Sequence, residues 1–95
     1  MRRAARNDDN QTAIVSALRA IGCSVWIIRW PTDLLIGHAG KTLVAEVKDG
    51  SKPPSRRKRT PDQEEFFSTW AGGPIAMIDS VEAAIRAVRS LDATR

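Results

Sequence analysis

The chain has 95 residues, of which 42% are hydrophobic, and it carries a formal net charge of +4 with a pI near 10.0. This length predicts one domain over residues 1–95 with a modest core, and it excludes a second domain. No apolar run approaches the roughly 20 residues of a membrane helix, and residues 1–6 lack the apolar stretch of a secretory signal. We therefore expect a cytoplasmic protein, whose positive charge favours a polyanionic partner.

The N-terminal third predicts one helix and one strand. Asp8 or Asp9 is expected to cap the helix and Gly22 to end it, while residues 1–7 are expected to be frayed. A strand over residues 23–30 is apolar on both faces, which predicts cover on both sides. The apolar face of the helix consists of Ile14, Val15, Leu18 and Ile21. Cys23 has no partner for a disulfide and no metal-ligand companion, so we expect a small, reduced core residue.

The next segment predicts a β-hairpin, with strands over residues 33–37 and 42–48 and a turn over residues 38–41. The turn holds His38, far along the strands from the acidic end of the hairpin. We therefore interpret it as a turn histidine and not as a general base.

The hairpin brings three charged side chains together. If pairing is symmetric about the turn, Asp33 lies opposite Glu46, and Lys48 shares their face. Adjacent carboxylates repel each other unless a cation bridges them, and Mg²⁺ prefers one or two protein carboxylates together with water and phosphate oxygens. The arrangement therefore predicts a divalent metal site. The alternative is a surface hairpin held by ordinary ion pairs.

A basic loop over residues 49–59 follows the hairpin. Its prolines and serines exclude a helix interior, and the charge points to contact with a phosphate backbone. The alternative is a solvated surface loop. The candidate DNA-binding residues are Lys52, Arg56, Arg57, Lys58 and Arg59.

The last third predicts helix, strand and helix. Thr60, Pro61 and Gln63 fit a capping box with proline at the first helical position. Gly72 and Gly73 break this helix. The helix has an apolar side formed by Phe66, Phe67 and Trp70, and a short buried strand follows over residues 74–78. Ser80 caps a final helix whose inward residues are Val81, Ala84, Ile85, Val88 and Leu91, with Arg86 and Arg89 outside this stripe and residues 92–95 frayed. We expect all three tryptophans, Trp26, Trp30 and Trp70, in the core; the alternatives are base-stacking platforms and, for Trp30, a place at the rim of the metal site.

The residues from Pro31 to Gly37 and from Glu46 to Gly50 resemble the PD-(D/E)XK nuclease superfamily. The likeness is strongest to its small stand-alone VRR-NUC-like and Holliday-junction-resolvase-like members of phage and bacteria. It runs from about Asp8 to Leu91 in the order helix, three strands, helix, strand, helix. The resemblance implies an α/β fold with a restriction-endonuclease-like core, in which helices flank a mixed central sheet.

The resemblance also implies roles for individual residues. Asp33 and Glu46 would hold Mg²⁺ or Mn²⁺ with help from the carbonyl of Val47, and Lys48 would position the attacking water. Gln63 matches a glutamine that reaches a phosphate or that water; its capping role explains it equally well. Two positions depart from the pattern. Thr32 separates Pro31 from Asp33, and Gln11 stands near where many relatives carry a helix-one glutamate, so it would orient water without adding charge.

The expected function is a metal-dependent DNA endonuclease. The resemblance implies branched or structured DNA as the substrate, a homodimer, and a location in the cytoplasm of a bacterial or phage-infected cell. The first alternative is a catalytically degenerate DNA-binding or DNA-processing module with the same fold. The second is a regulatory protein that uses the basic loop to bind an acidic protein surface.

Overall fold

A computed structural model describes residues 5–48 and 60–93, with side chains described from Asn10 onward. The elements follow the predicted order of helix, three strands, helix, strand and helix. They are α1 (Ala5–Ala20), β1 (Ser24–Ile27), β2 (Leu34–His38), β3 (Lys41–Val47), α2 (Pro61–Thr69), β4 (Ile75–Ile78) and α3 (Val81–Ala93). The strands form one sheet in the order β1-β2-β3-β4. The first three strands are antiparallel, and β3 pairs with β4 in parallel, so the sheet is mixed and the fold is α/β as expected.

The core lies between one face of the sheet and the helices α1 and α3. Alternate residues of the strands point to this face, and those that are buried include Leu34, Ile36, Leu43, Ala45 and Ile78. They pack with buried residues of the two helices, which are Ile14, Val15, Leu18, Ala84, Val88 and Leu91. None of the described helices has the length and apolar character needed to cross a bilayer.

The helix α1 begins earlier than expected. Since it starts at Ala5, Asp8 and Asp9 lie within the helix, and the prediction that either one caps it was wrong. Alanine and arginine at positions 5 and 6 favour helix, which explains the earlier start. Residues 5–7 belong to this helix, and α3 continues through Asp92 to Ala93.

Gly22 ends α1 as predicted. Its φ of +98° places it in the left-handed region that glycine adopts without strain. The amide of Gly22 donates to the carbonyl of Arg19 at 3.1 Å, and the amide of Cys23 donates to the carbonyl of Leu18 at 3.0 Å, which together form a Schellman motif. Ile21 lies at this helix end and is 44% exposed, so it does not belong to the apolar face.

The expectation that the first strand is covered on both sides was wrong. The strand β1 spans only Ser24–Ile27 and lies at the sheet edge, where Val25 alone of its residues is buried. Cys23, directly before it, is buried and reduced as predicted.

All three tryptophans are exposed, which contradicts their assignment to the core. The exposed fractions are 70% for Trp26, 60% for Trp30 and 44% for Trp70. For Trp26 the physical reason is that α1 and α3 cover only one face of the sheet, whereas Trp30 and Trp70 lie in connecting segments. The indole N–H of Trp70 is nonetheless bonded, because it donates to the carbonyl of Gly73 at 2.8 Å.

The second half of the chain begins as predicted. The capping box of Thr60 and Gln63 is present with Pro61 at the helix start. The apolar side of α2 is shallower than expected, since Phe66 and Phe67 are only half-buried and no α2 residue is fully buried.

The last helix is capped as predicted, because the Ala83 amide donates to Ser80 Oγ at 3.0 Å. Of the expected inward residues, Val81 and Ile85 are half-buried and the others are buried. The preceding strand β4 is an edge strand with Ile78 alone buried, so the prediction of a buried strand was too broad.

His38 is the last residue of β2 and pairs with Lys41. It therefore lies beside the turn and not in it. Its Nδ1 lies 2.9 Å from Asp92 Oδ1 on α3. The described position explains His38 as a contact between the hairpin and the last helix.

Candidate functional site

The predicted register of the hairpin is confirmed. The β2–β3 ladder is symmetric about Ala39 and Gly40 and ends at the pair Leu34 and Ala45. Asp33 directly precedes β2, and its amide donates to the carbonyl of Ala45 at 3.1 Å. Asp33 and Glu46 are therefore the next two residues beyond the last ladder pair, on neighbouring strands.

The carboxylate of Asp33 reaches across to β3. Its Oδ2 accepts a hydrogen bond from the backbone N–H of Val47 at 2.7 Å, a length typical of charge-assisted bonds. On the other side, the carbonyl of Asp33 accepts the amide of Ile28 at 2.9 Å. Asp33 is thus fixed to both neighbouring strands, so its carboxylate has little freedom to move.

Burial raises the pKa of the Asp33 carboxyl above its ordinary value. The hydrogen bond from Val47 and the positive charge of Lys48 both lower the pKa, but neither outweighs burial. The contacts around Asp33 therefore do not fully compensate for the burial of its ionised form, and a cation bound to the carboxylate would stabilise that form.

The oxygen atoms at this end of the hairpin suit a hard divalent cation. One carboxylate oxygen of Glu46, Oε1, is buried, and Asp33 is half-buried. Mg²⁺ is commonly held by one or two carboxylates with water in its other positions. Among the described side chains of residues 10–48 and 60–93, no group of three or more His, Cys, Asp or Glu could hold a metal ion. Asp33 and Glu46 supply two carboxylates, the ligand type that a hard divalent cation prefers.

Lys48 is held by its backbone from two other elements. Its amide donates to the carbonyl of Ile78 on β4 at 2.7 Å. Its carbonyl accepts the side-chain amide of Asn10 on α1 at 3.0 Å. Asn10 escaped the sequence analysis, although its position four residues before the buried Ile14 places a polar group at the end of the apolar face of α1. Gln11, the predicted auxiliary residue, is half-buried on the same helix.

Gln63 combines two contacts. Its Oε1 accepts from the Thr60 amide at 3.2 Å, which completes the capping box. Its Nε2 donates to the carbonyl of Pro31 at 3.2 Å, two residues before Asp33. The side chain therefore ties the start of α2 to the segment that carries the first carboxylate, and it lies beside the site for which it was predicted.

Thr32 is the residue that interrupts the expected Pro-Asp pair. It is fully buried, and its Oγ1 has no hydrogen-bond partner among the described residues. The side chain of Thr32 therefore belongs to the interior.

The candidate DNA-binding residues, Lys52, Arg56, Arg57, Lys58 and Arg59, lie outside the described residues. Their loop connects Lys48 to Thr60, and both of these residues belong to the neighbourhood of the site. Comparison of the chain with protein-family models, with curated proteins and with solved structures finds no match.

Proposed function

We propose that the protein is a metal-dependent DNA endonuclease with a restriction-endonuclease-like core of the PD-(D/E)XK type. The observation that carries the proposal is the 2.7 Å hydrogen bond from the amide of Val47 to Asp33 Oδ2. This hydrogen bond joins Asp33 to the segment from Glu46 to Lys48, which is distant in sequence. The resemblance implies that Asp33 and this segment act together.

The sheet supports the same proposal. Its element order and its single parallel pair, β3 with β4, agree with the core that the resemblance implies. Because the chemistry-bearing residues lie where β2 begins and β3 ends, they share one end of the hairpin. The scaffold is thus compatible with a site that is open to a long polymer.

Asp33, Glu46 and the carbonyl of Val47 would hold Mg²⁺ or Mn²⁺. Such a cation supplies positive charge against the scissile phosphate and the attacking oxygen. Lys48 orients the attacking water and offsets charge that develops on the phosphate oxygens. The reaction replaces one P–O ester bond with a bond to the oxygen of water.

Other residues of the chain act through position. Asn10 holds the carbonyl of Lys48, and Gln63 holds the segment before Asp33. The basic loop supplies phosphate contacts, which give most of the sequence-independent affinity for DNA. Branched or structured DNA, and a homodimer that presents two sites, belong to the same proposal.

The test is cleavage of labelled duplex, single-stranded, flapped and four-way DNA in the presence of Mg²⁺ or Mn²⁺. We expect Asp33→Ala and Lys48→Ala each to reduce the cleavage rate by at least about a hundredfold. Each variant removes a charged side chain that the proposal places at the transition state. DNA binding and the far-UV circular dichroism spectrum are expected to persist. The matched controls are Glu82→Ala and Arg86→Ala, which remove an exposed acid and an exposed base of α3.

Two results would contradict the proposal. If no substrate is cut under either metal while DNA is still bound, the protein is a DNA-binding accessory module. If an acidic protein displaces DNA readily while DNA fails to displace that protein, the basic loop serves protein recognition.

A further inference from the structure

The sheet face that turns away from α1 and α3 carries an exposed apolar row. Trp26 of β1 pairs with Leu35 of β2. Both point away from the core because their neighbours Val25 and Leu34 are buried. Trp26 is 70% exposed and Leu35 is 37% exposed. We call this side of the sheet the outer face.

The outer face also carries the candidate site. Leu35 pairs with Val44 of β3, and Glu46 follows Val44 by two residues, so the apolar row and Glu46 share a face. Two residues of a strand span roughly 7 Å. Met77, which pairs with Glu46 from β4, is 43% exposed on the same face. Trp26 and Glu46 therefore share one face of the sheet, on which Val44 is buried.

The charge beside this row favours an anionic occupant. The sequence contains two arginines and no acid from Asn10 to Thr32. Arg19 donates from its guanidinium to the carbonyl of Val25 at 2.8 Å, which places one cation at the exposed edge of β1. Arg29 is exposed three residues after Trp26. Arg19 and Arg29 thus add positive charge beside the apolar row, and a polyanion is complementary to them.

We propose that Trp26 stacks on an unpaired nucleobase of a DNA strand while Arg29 contacts the phosphates of that strand. Exposed indoles bind bases without regard to sequence because every base has a π face, and arginines beside them track the backbone. In a regular duplex these base faces are stacked on one another. The inference rests on the proposed function, and it specifies the substrate as DNA with a single-stranded segment next to the cleaved bond.

The experiment measures binding of fluorescein-labelled oligothymidylate and of a matched duplex in EDTA by fluorescence anisotropy. Stacking on an aromatic side chain accounts for roughly a tenfold change in affinity per base. We therefore expect Trp26→Thr, which keeps a strand-favouring residue, to weaken single-strand binding about tenfold and duplex binding little. Trp26→Phe retains a ring and is expected to restore most of the affinity.

Trp70→Phe is the control for the loss of one indole, because the Trp70 ring packs against Phe66 at 5.1 Å between centroids. It is expected to bind both DNAs like the original protein. Unchanged single-strand binding by Trp26→Thr would overturn the inference. So would a shift from dimer to monomer on Trp26→Thr with DNA binding intact, since the outer face would then hold a second copy.

Binding in EDTA separates this inference from the nuclease proposal. If the protein cuts no DNA but binds single strands through Trp26, the nuclease proposal fails and the stacking surface stands. If the protein cuts DNA and Trp26→Thr binds single strands normally, the stacking surface fails and the nuclease proposal stands.

Discussion

At the scale of single residues, the hydroxyl of Thr32 is a buried polar group without a hydrogen-bond partner among the described residues. A buried hydroxyl without a partner loses its hydrogen bonds to water and gains none in return, which costs about 1–3 kcal/mol. Valine has nearly the same shape without this polar atom. Replacing Thr32, which directly precedes Asp33, with valine is therefore expected to stabilise the fold.

We expect Thr32→Val to raise the free energy of unfolding by about 1 kcal/mol, measured by urea denaturation. Cleavage is expected to remain, since the Thr32 hydroxyl forms no hydrogen bond with the described residues of the site. Ser68→Ala, on the exposed side of α2, provides a comparison for removal of a surface hydroxyl. A loss of stability in Thr32→Val would show that the hydroxyl does have a partner.

The half-buried carboxylate of Asp33 is expected to support cleavage but to lower the stability of the folded protein. Its pKa in the folded protein lies above the ordinary 3.8 because burial outweighs the Val47 and Lys48 contributions. In the unfolded chain the pKa is ordinary, so above the folded pKa the ionised carboxylate makes the folded state less stable. Asparagine removes this charge and still offers an oxygen to the Val47 amide.

We expect Asp33→Asn to abolish cleavage while raising the midpoint of thermal unfolding at neutral pH, measured without divalent cations. As the pH falls through the raised pKa, the original protein takes up a proton and the difference shrinks. Below about pH 3.8 it no longer changes, because Asp33 is then protonated in both states. A lower midpoint for Asp33→Asn at neutral pH would show that the hydrogen bond and the lysine outweigh burial.

At the scale of elements, the helix α2 begins with a common capping box, and its Gln63 also forms a less common hydrogen bond to the carbonyl of Pro31. We call this hydrogen bond the tether. The capping box satisfies the first amides of the helix, while Nε2 of Gln63 donates to the carbonyl of Pro31. Glutamate at the third helical position also completes a capping box. The two roles of Gln63 are therefore separable by substitution.

We expect Gln63→Glu to keep the helix and most of the stability but to reduce cleavage, because glutamate has no N–H to donate to the Pro31 carbonyl. Thr60→Ala is the matched variant: it removes the cap, costs about 1 kcal/mol, and retains the donor. Stability from urea denaturation and cleavage rates separate the two effects. Equal cleavage rates for Gln63→Glu and the original protein would contradict a positioning role for the tether.

Local sequence signals predicted the elements that depend on local chemistry. The capping residues Thr60 and Ser80, the glycine end of α1 at Gly22 and the hairpin register all act within a few residues, so their patterns are readable in the sequence. The start of α1 was missed because helix-favouring residues extend it past the predicted caps.

The errors at the tryptophans and at Asn10 have another origin. An apolar strand reads the same whether helices cover one face or both, so the sequence of β1 does not reveal that Trp26 is exposed. Likewise, the contact of Asn10 with Lys48 joins residues 38 positions apart. Such contacts depend on the packing of whole elements and leave no local pattern.

At the scale of the whole molecule, charge is unevenly distributed along the sequence. The basic loop from residue 49 to residue 59 contributes five cations against one acid, whereas the net charge of the chain is only +4. Each phosphate contact releases counterions, so binding to DNA through this loop makes the affinity depend steeply on salt.

We expect replacement of Arg56, Arg57 and Lys58 by alanine to weaken DNA binding about equally for all sequences. The slope of log affinity against log salt should fall by roughly one unit for each phosphate that the variant no longer neutralises. Replacing Arg86 and Arg89, which are exposed on α3, removes charge elsewhere and is the control. An unchanged slope in the loop variant would argue against phosphate binding there.

The two backbone hydrogen bonds of Lys48 couple the site to both ends of the chain. Its carbonyl is held by the first helix and its amide by the last strand. During synthesis the proposed catalytic lysine can reach its final position only after residue 78 has emerged and docked. A truncated product that ends before β4 lacks the acceptor for the Lys48 amide, so under the proposed function it is expected not to cut DNA.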